Sequence, residues 1–246
     1  MPTVNNKTAI ITGASRGIGR AIAIQLAKDG FNIVANYLGR ENAARNLVNS
    51  IEQSGGTAIA VKANIADPQA ARRLFHIANE TYDSVDVLIN NAAIMKLATI
   101  AESDDALFDS QIATNLKGSF NTMREAAARL RDGGAIINLS TSVIGLNLES
   151  YGVYAGTKAA IESITKIFSK ELRGRNITVN AIAPGPTATE LFLEGKPQDV
   201  VDRLTQMPPL ERLGTPEDIA NVVAFLVSAQ GKWINGQILR ANGGIV

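Results

Sequence analysis

The chain has 246 residues, a formal net charge of +1, one histidine and no cysteine. The near-neutral charge gives no electrostatic case for nucleic acid or an anionic membrane as partner, and the lack of cysteine excludes disulfides, thiolate zinc sites and cysteine nucleophiles. The opening residues MPTVNNKTAI show no basic and apolar leader, and no apolar run reaches the ~20 residues of a membrane helix. We therefore expect a cytoplasmic protein without membrane contact.

Short β-branched runs alternate with amphipathic helical patterns along almost the whole chain. Strands are predicted at 8–12, 32–37, 58–63, 85–90, 135–139, 177–182 and 236–241. Clear helices are predicted at 41–55, 67–82 and 215–229, the last two beginning with a capping residue before a proline. This alternation predicts an α/β fold of Rossmann type, a doubly wound parallel seven-stranded sheet with helices on both faces.

The chain shows no long linker and no internal repeat, so we expect one dinucleotide-binding domain over residues 1–246. One long irregular connection runs from about 184 to 214. Structureless stretches of that length inside a compact domain usually have a function. We therefore predict a substrate loop, or lid, at about 186–210.

A glycine-rich segment, TGASRGIG (12–19), joins the first strand to a helix. Gly13 would permit the tight turn, and Gly17 and Gly19 would let the backbone approach a ligand closely. The helix N-terminus would offer free N–H groups and a positive dipole end to a pyrophosphate. The segment predicts a dinucleotide site, with a ligand-free strand-to-helix turn as the alternative.

The cofactor is indicated by two arginines near this segment. Arg16 lies at a helix start, where the dipole disfavours a cation unless an anion is close by. The second strand ends in NYLGR (36–40), without the acid that would bind the ribose hydroxyls of NAD. We therefore predict that Arg16, with Asn36, Tyr37 or Arg40, holds a 2′-phosphate, which makes the cofactor NADP(H). The alternative is that both arginines are only solvated.

The segment ESYGVYAGTKAA (149–160) contains a candidate proton donor. In a helix, Tyr154 and Lys158 share a face about 6 Å apart along the axis, whereas Tyr151 lies about 10.5 Å from Lys158. Lowering a phenol pKa from about 10 to neutrality requires roughly 4 kcal/mol. One ammonium at ~4 Å, in an effective dielectric near 20, supplies about that much. The pair therefore predicts an acid/base catalyst, although two surface residues fit the same spacing.

Further motifs follow one another in a recognisable order: NNAA (90–93), Asn115, SVIG (142–145), YAGTK (154–158) and PGPTAT (184–189). With TGASRGIG, ERLGTPEDIA and WINGQILRANGG, the sequence resembles the short-chain dehydrogenase/reductase family, in its 3-oxoacyl carrier-protein reductase-like branch. The resemblance covers essentially the whole chain. It implies an NADPH-dependent oxidoreductase that reduces a ketone or aldehyde to an alcohol by hydride transfer. The alternatives are an alcohol or sugar dehydrogenase working in the oxidative direction and a cofactor-sensing protein without catalysis.

The resemblance also assigns roles to single residues. Tyr154 would be the general acid, and Lys158 would lower its pKa and hold the nicotinamide ribose. Ser142 would hydrogen-bond the substrate oxygen, with Ser140 as second choice, and Asn115 would hold a water that connects Lys158 to solvent. The residues assigned to the cofactor are Gly13, Ser15, Arg16, Gly17, Ile18, Gly19, Asn36, Tyr37, Asn64, Ile65, Asn91, Ala92, Tyr154, Lys158, Pro184, Gly185, Thr187 and Thr189.

Two positions depart from the family pattern: Ala93 replaces a glycine, and Asn64 replaces an acid near the adenine. Neither change touches the proton chemistry. The motif order places six side chains around the substrate, which predicts a mostly apolar ketone or aldehyde: Met95, Leu146, Leu148, Tyr151, Leu191 and Phe192. Lys96 is the one candidate for binding a substrate carboxylate.

The remaining charged residues give weaker indications. His76, on a predicted helix among charged neighbours, is expected to be solvated, and we predict no metal site because no ligand cluster has metal spacing. Four arginines near helix ends would either meet an acidic carrier protein or be solvated: Arg129, Arg131, Arg173 and Arg175. The resemblance, with the small residues of 154–164, predicts a homotetramer or a homodimer.

Overall fold

A seven-stranded parallel sheet runs through residues 7–246, the part of the chain that the computed structural model describes. The strand order is β3-β2-β1-β4-β5-β6-β7. The strands are β1 (Thr8–Ile11), β2 (Asn32–Tyr37), β3 (Thr57–Lys62), β4 (Val85–Asn90), β5 (Leu130–Leu139), β6 (Thr178–Pro184) and β7 (Ile238–Ala241). The predicted fold class is confirmed. The first six residues, which belong to the segment predicted to lack a leader, lie outside the described part.

The helices connect consecutive strands and cover the sheet. They are α1 (Gly17–Lys28), α2 (Glu41–Gln53), α3 (Pro68–Tyr82), α4 (Asp105–Gln111), α5 (Ser119–Arg129), α6 (Val143–Leu146), α7 (Gly152–Glu171), α8 (Glu190–Leu193), α9 (Gln198–Gln206) and α10 (Pro216–Val227). A π-helix, Ile112–Gly118, joins α4 to α5. In the part of the chain that the structure describes, no helix has the length and apolar character needed to cross a membrane.

The core consists of two apolar layers, one on each face of the sheet. In β1, Ala9 and Ile11 belong to the layer packed against α1, α2 and α10, whereas Ile10 belongs to the layer packed against α3, α5 and α7. This alternation follows from the two-residue period of a strand. Because both faces are covered, the strands are apolar almost throughout, as the sequence predicted.

Two elements differ from the predictions. Strand β5 begins five residues earlier than predicted, because a register shift lets Leu130 pair with Val85 ahead of the regular pairing of Ala135 with Val87. The predicted irregular connection contains the short helices α8 and α9. Both are too short for their apolar period to stand out from a single sequence.

The strand order has its switch point between the neighbouring strands β1 and β4. Strands β2 and β3 lie on one side of β1, and β4 to β7 lie on the other. In open α/β sheets, ligands bind at the carboxyl ends of the strands at such a switch point. The segments that follow β1, β4, β5 and β6 are therefore where the functional residues should meet.

Candidate active site

The glycine-rich segment after β1 is held in a fixed shape by the residue pair that follows β4. Gly13 and Gly17 have φ of +64° and +52°, which favour glycine. A Cβ on Gly13 would come within 2.9 Å of Ala92 Cα, and one on Gly19 would come within 2.4 Å of Asn91 Nδ2. The Asn91 side chain donates to the carbonyls of Thr12 (2.9 Å) and Gly13 (3.0 Å).

The start of α1 is open to an anion. Its N-cap, Arg16, makes no side-chain capping bond, and no acidic residue lies in the first turn. The free N–H groups and the dipole of this helix end therefore face the glycine-rich turn without a partner from the cap residue. Together with the close approach of the glycines, this arrangement fits the pyrophosphate of a dinucleotide.

The two arginines predicted to hold a 2′-phosphate lie together, and a carboxylate lies between them. Arg16 Nη1 and Arg40 Nη1 both donate to Glu190 Oε2, at 2.9 and 2.6 Å. These cations lower the pKa of Glu190, first through the Arg16 hydrogen bond and then through Arg40. The cluster shows that the two guanidiniums can share one anion.

Asn36 and Tyr37, the other candidates for holding the 2′-phosphate, form no hydrogen bond with these arginines, and their predicted contact with the cofactor stays a prediction. Asn36 is buried; its Nδ2 donates to Ala63 O (3.0 Å), and its Oδ1 accepts from the N–H of Gly13 (3.4 Å). Tyr37 is buried as well. Because the Asn36 amide is already hydrogen-bonded to the backbone, it shapes the glycine-rich turn.

Other residues assigned to the cofactor lie at three places. Asn64 and Ile65 follow β3; the Asn64 side chain accepts from the N–H of Ala66 (3.1 Å), and Ile65 is buried. Ser15 is partly exposed in the glycine-rich turn. The rest line a cavity beside that turn: Ile18, Asn91, Tyr154, Lys158, Pro184, Gly185, Thr187 and Thr189.

Tyr154 and Lys158 lie on α7 at the floor of this cavity. Their exposed fractions are only 8% and 4%. Lys158 Nζ donates to the carbonyl of Leu139 (2.7 Å) and lies 5.9 Å from the centre of the Tyr154 ring. Tyr151 meets Tyr154 edge to face, with ring centres 6.5 Å apart. The sequence spacing thus places the phenol and the ammonium near each other, as predicted.

The predicted effect of Lys158 on Tyr154 is absent from this structure. Burial raises the pKa of Tyr154 to about 12; a hydrogen bond with the Thr141 side chain opposes this rise, and Tyr151 adds to it. Burial also lowers the pKa of Lys158 to about 8. Desolvation disfavours the charged form of both groups, and the ammonium is bonded to a backbone carbonyl rather than to the phenol. The prediction counted only the attraction and omitted this desolvation.

Both serines predicted to face the substrate line the cavity, but neither forms a hydrogen bond with Tyr154. Ser142 Oγ donates to Ala183 O (3.0 Å) and accepts from Asn242 Nδ2 (3.0 Å). Ser140 Oγ donates to Glu162 Oε1 (2.7 Å). Both hydroxyls therefore connect the end of β5 to neighbouring elements.

The residue between them, Thr141, lies near enough to Tyr154 for its side chain to lower the pKa of the phenol. Its Oγ1 also accepts from the N–H of Val143 (3.3 Å), which leaves the hydroxyl hydrogen for another acceptor. Sequence reasoning missed Thr141 because it weighed only serines in this segment. The pattern S-T-S offers no signal that separates the three hydroxyls.

Asn115 is buried in the π-helix and connects three parts of the site. Its Oδ1 accepts from the N–H of Ile94, and its Nδ2 donates to the carbonyl of Ile94, both at 2.9 Å. Nδ2 also donates to Thr157 Oγ1 on α7 (3.3 Å). Asn115 thereby fixes the segment after β4 against the helix of Tyr154 and Lys158. π-helical turns often occur at functional sites.

The cavity above Tyr154 has mostly apolar walls. Every side chain predicted to surround the substrate lines it: Met95, Leu146, Leu148, Tyr151, Leu191 and Phe192. Ala93 and Leu204 line it too, the latter from α9, which the sequence did not predict. Among the described residues that line the cavity, Lys158 is the one charged group, and Lys96 is not part of the lining.

The other charged candidates lie outside the cavity. His76 is exposed and pairs with Glu80 (3.2 Å), as expected of a solvated helix residue. Three arginines pair within the chain: Arg129 with Glu125, Arg131 with Asp86 and Arg175 with Asp132. Within residues 7–246, no group of three His, Asp or Glu side chains is arranged to hold a metal ion.

Comparison with known proteins identifies the family. A family model described as enoyl-(acyl carrier protein) reductase matches residues 13–246. NADPH-dependent aldehyde reductase 2, chloroplastic, of Arabidopsis thaliana is 43% identical and aligns with 97% of this chain and 93% of its own. The 3-oxoacyl-[acyl-carrier-protein] reductase FabG of Staphylococcus epidermidis is 39% identical and aligns with 98% of this chain and 99% of its own. A solved short-chain dehydrogenase from Burkholderia cenocepacia in complex with NADP has a TM-score of 0.93 at 32% identity, covering 98% of each chain. The chain belongs to the short-chain dehydrogenase/reductase family.

Proposed function

We propose that this chain is an NADP(H)-dependent carbonyl reductase that converts a mostly apolar ketone or aldehyde to an alcohol. The observation that carries the proposal is that the buried Tyr154 lies close to Lys158 and lines, together with Thr141, an apolar cavity beside the glycine-rich turn. The relatives support the cofactor: the Arabidopsis protein is NADPH-dependent by name, and the Burkholderia structure contains NADP. Arg16 and Arg40 are suitably placed to hold its 2′-phosphate.

The cavity residues would supply the proton and the orientation for this reaction. The reduced nicotinamide, when bound, supplies a hydride to the carbonyl carbon. Thr141 would donate a hydrogen bond to the carbonyl oxygen and hold it beside Tyr154, which would transfer its phenolic proton to that oxygen. The nearby Lys158 ammonium would stabilise the phenolate that remains. The apolar walls would exclude water from the reacting oxygen.

The protonation of Tyr154 supports the reductive direction that we propose. A pKa of about 12 keeps the phenol protonated near neutral pH, and a proton donor must carry its proton. An alcohol or sugar dehydrogenase would instead need Tyr154 as a phenolate base, which burial disfavours. A cofactor sensor without catalysis would not require a buried tyrosine, threonine and lysine to converge in one cavity.

The lining of the cavity supports a small neutral substrate. The one charged group of the described lining, Lys158, is bonded to Leu139 O beside Tyr154, so the lining holds no further cation for a substrate carboxylate. Three of the four arginines considered for a carrier protein are engaged within the chain. We therefore propose a free ketone or aldehyde as substrate. A higher kcat/KM for a carrier-protein thioester than for any free ketone would contradict this.

Three further proposals concern the surroundings of the site. Residues 186–210 would act as a lid, because Leu191, Phe192 and Leu204 line the cavity from α8 and α9. A homotetramer, or a homodimer, would cover exposed apolar side chains such as Trp233, which is 98% exposed. Sedimentation as a monomer would contradict this assembly. A cytoplasmic location also stays a proposal, which immunolabelling would test.

The first experiment measures the loss of NADPH and of NADH absorbance with a panel of ketones, aldehydes and β-keto thioesters. We expect turnover that prefers NADPH and falls about 10²- to 10⁴-fold in Tyr154→Phe. Tyr151→Phe is the matched control, because it removes the neighbouring phenol and leaves Tyr154 intact. Tyr154→Phe activity equal to that of the wild type would overturn the proposal. A preference for NADH would overturn the proposed roles of Arg16 and Arg40.

A further inference from the structure

We propose that Glu190 is a cofactor-specificity residue: its carboxylate competes with the cofactor's 2′-phosphate for Arg16 and Arg40. The competition would make release of the lid depend on the phosphate. This inference rests on the proposed use of NADP(H). It concerns a residue of the lid rather than the acid/base site.

The cluster joins three distant parts of the chain. Glu190 is the first residue of α8 and follows Thr189, which lines the cavity. Arg16 caps α1, and Arg40 precedes α2. A single oxygen, Glu190 Oε2, accepts from both guanidiniums, at 2.9 and 2.6 Å. The carboxylate therefore holds the place between two cations that an incoming anion would take.

A phosphate monoester is the stronger partner for these arginines. It carries about −1.5 to −2 charges near neutral pH and has three acceptor oxygens, whereas the carboxylate has one charge. Arg16 and Arg40 already donate to the same oxygen, Glu190 Oε2. A phosphate that binds between them must therefore displace Glu190 or lie close to a second anion. An unphosphorylated cofactor would make no such demand. Only the 2′-phosphate would therefore work against the Glu190 contact.

Exposure keeps this contact weak enough to be exchanged. The Glu190 side chain is 60% exposed, and those of Arg16 and Arg40 are 33% and 52% exposed. Ion pairs this accessible to water are readily replaced by a better anion. When Glu190 leaves, the start of α8 loses its ion pairs with Arg16, at the start of α1, and with Arg40, after β2. NADP(H) would thereby free the lid at its first residue, whereas NAD(H) would leave it attached.

The test uses the adenosine halves of the two cofactors, so that it needs neither a substrate nor turnover. Binding of 2′,5′-ADP and of 5′-AMP is measured by titration calorimetry at one fixed salt concentration. The variant is Glu190→Gln, and the matched control is Glu194→Gln, an exposed carboxylate at the other end of α8. We expect Glu190→Gln to bind 2′,5′-ADP roughly 3- to 10-fold tighter, which corresponds to losing two exposed ion-pair contacts. Binding of 5′-AMP, and both affinities of the control, should stay close to those of the wild type.

The outcomes separate this inference from the proposed function. Unchanged or weaker 2′,5′-ADP binding by Glu190→Gln, in a protein whose wild type prefers 2′,5′-ADP, overturns the inference alone. Equal tightening of both nucleotides also overturns it, because a loosened lid would then explain the gain. A wild type that binds the two nucleotides equally overturns the NADP(H) assignment and this inference with it.

Discussion

Replacing Thr141 by valine should slow catalysis while leaving the fold intact. Valine has nearly the same shape and lacks only the hydroxyl, which accepts from the N–H of Val143 and lowers the pKa of Tyr154. In the proposed reaction that hydroxyl stabilises an oxygen on which negative charge develops. A hydrogen bond to a charged group is worth about 1.5–3 kcal/mol. We therefore expect kcat/KM for carbonyl reduction to fall about 10- to 150-fold.

The neighbouring serine supplies the control. Ser142→Ala should lose the hydrogen bonds to Ala183 O and Asn242 and lower the free energy of unfolding by about 0.5–1.5 kcal/mol. It should leave kcat/KM close to that of the wild type, as should Thr141→Ser, which keeps the hydroxyl. The assay is NADPH consumption with the best ketone, combined with chemical denaturation of each variant. If Ser142→Ala loses more activity than Thr141→Val, the assignment of Thr141 is refuted.

Three other predictions test the site from different directions. Because the pKa of Lys158 is lowered to about 8, kcat/KM for reduction should fall as the pH rises through that value and the ammonium is lost. A pH–rate profile that stays flat to pH 10 would contradict this. Gly19→Ala places a Cβ 2.4 Å from Asn91 Nδ2, so it should lower the free energy of unfolding by about 1–3 kcal/mol and also lower the affinity for NADPH. Denaturation and binding curves equal to those of the wild type would contradict the close packing of Gly19 against Asn91. Asn115→Ala removes the side-chain partners of the N–H and the carbonyl of Ile94, so it should lower the free energy of unfolding by about 1–3 kcal/mol for each lost bond. A denaturation curve equal to that of the wild type would contradict this.

The sequence alone determined the fold and the positions of the main motifs, because these depend on local patterns. Strands β2 and β4 have the predicted bounds, since an apolar run bounded by turn residues is readable over a few residues. The spacing of Tyr154 and Lys158 placed both on one face of α7, since a helix brings residues four apart together. Capped starts at Asp67 and Thr215 were also readable, because a cap is local.

Only the tertiary structure decided which groups of the site meet and which charges they carry. Glu190 reaches Arg16 across 174 residues of sequence, and no pattern in one chain encodes that contact. Thr141 acts on the pKa of Tyr154 while Ser142 donates to Ala183 O, a choice made by the path of the backbone after β5. The pKa of Tyr154 rises because burial opposes a charged phenolate. Burial is a property of the whole packed chain, which local spacing does not contain.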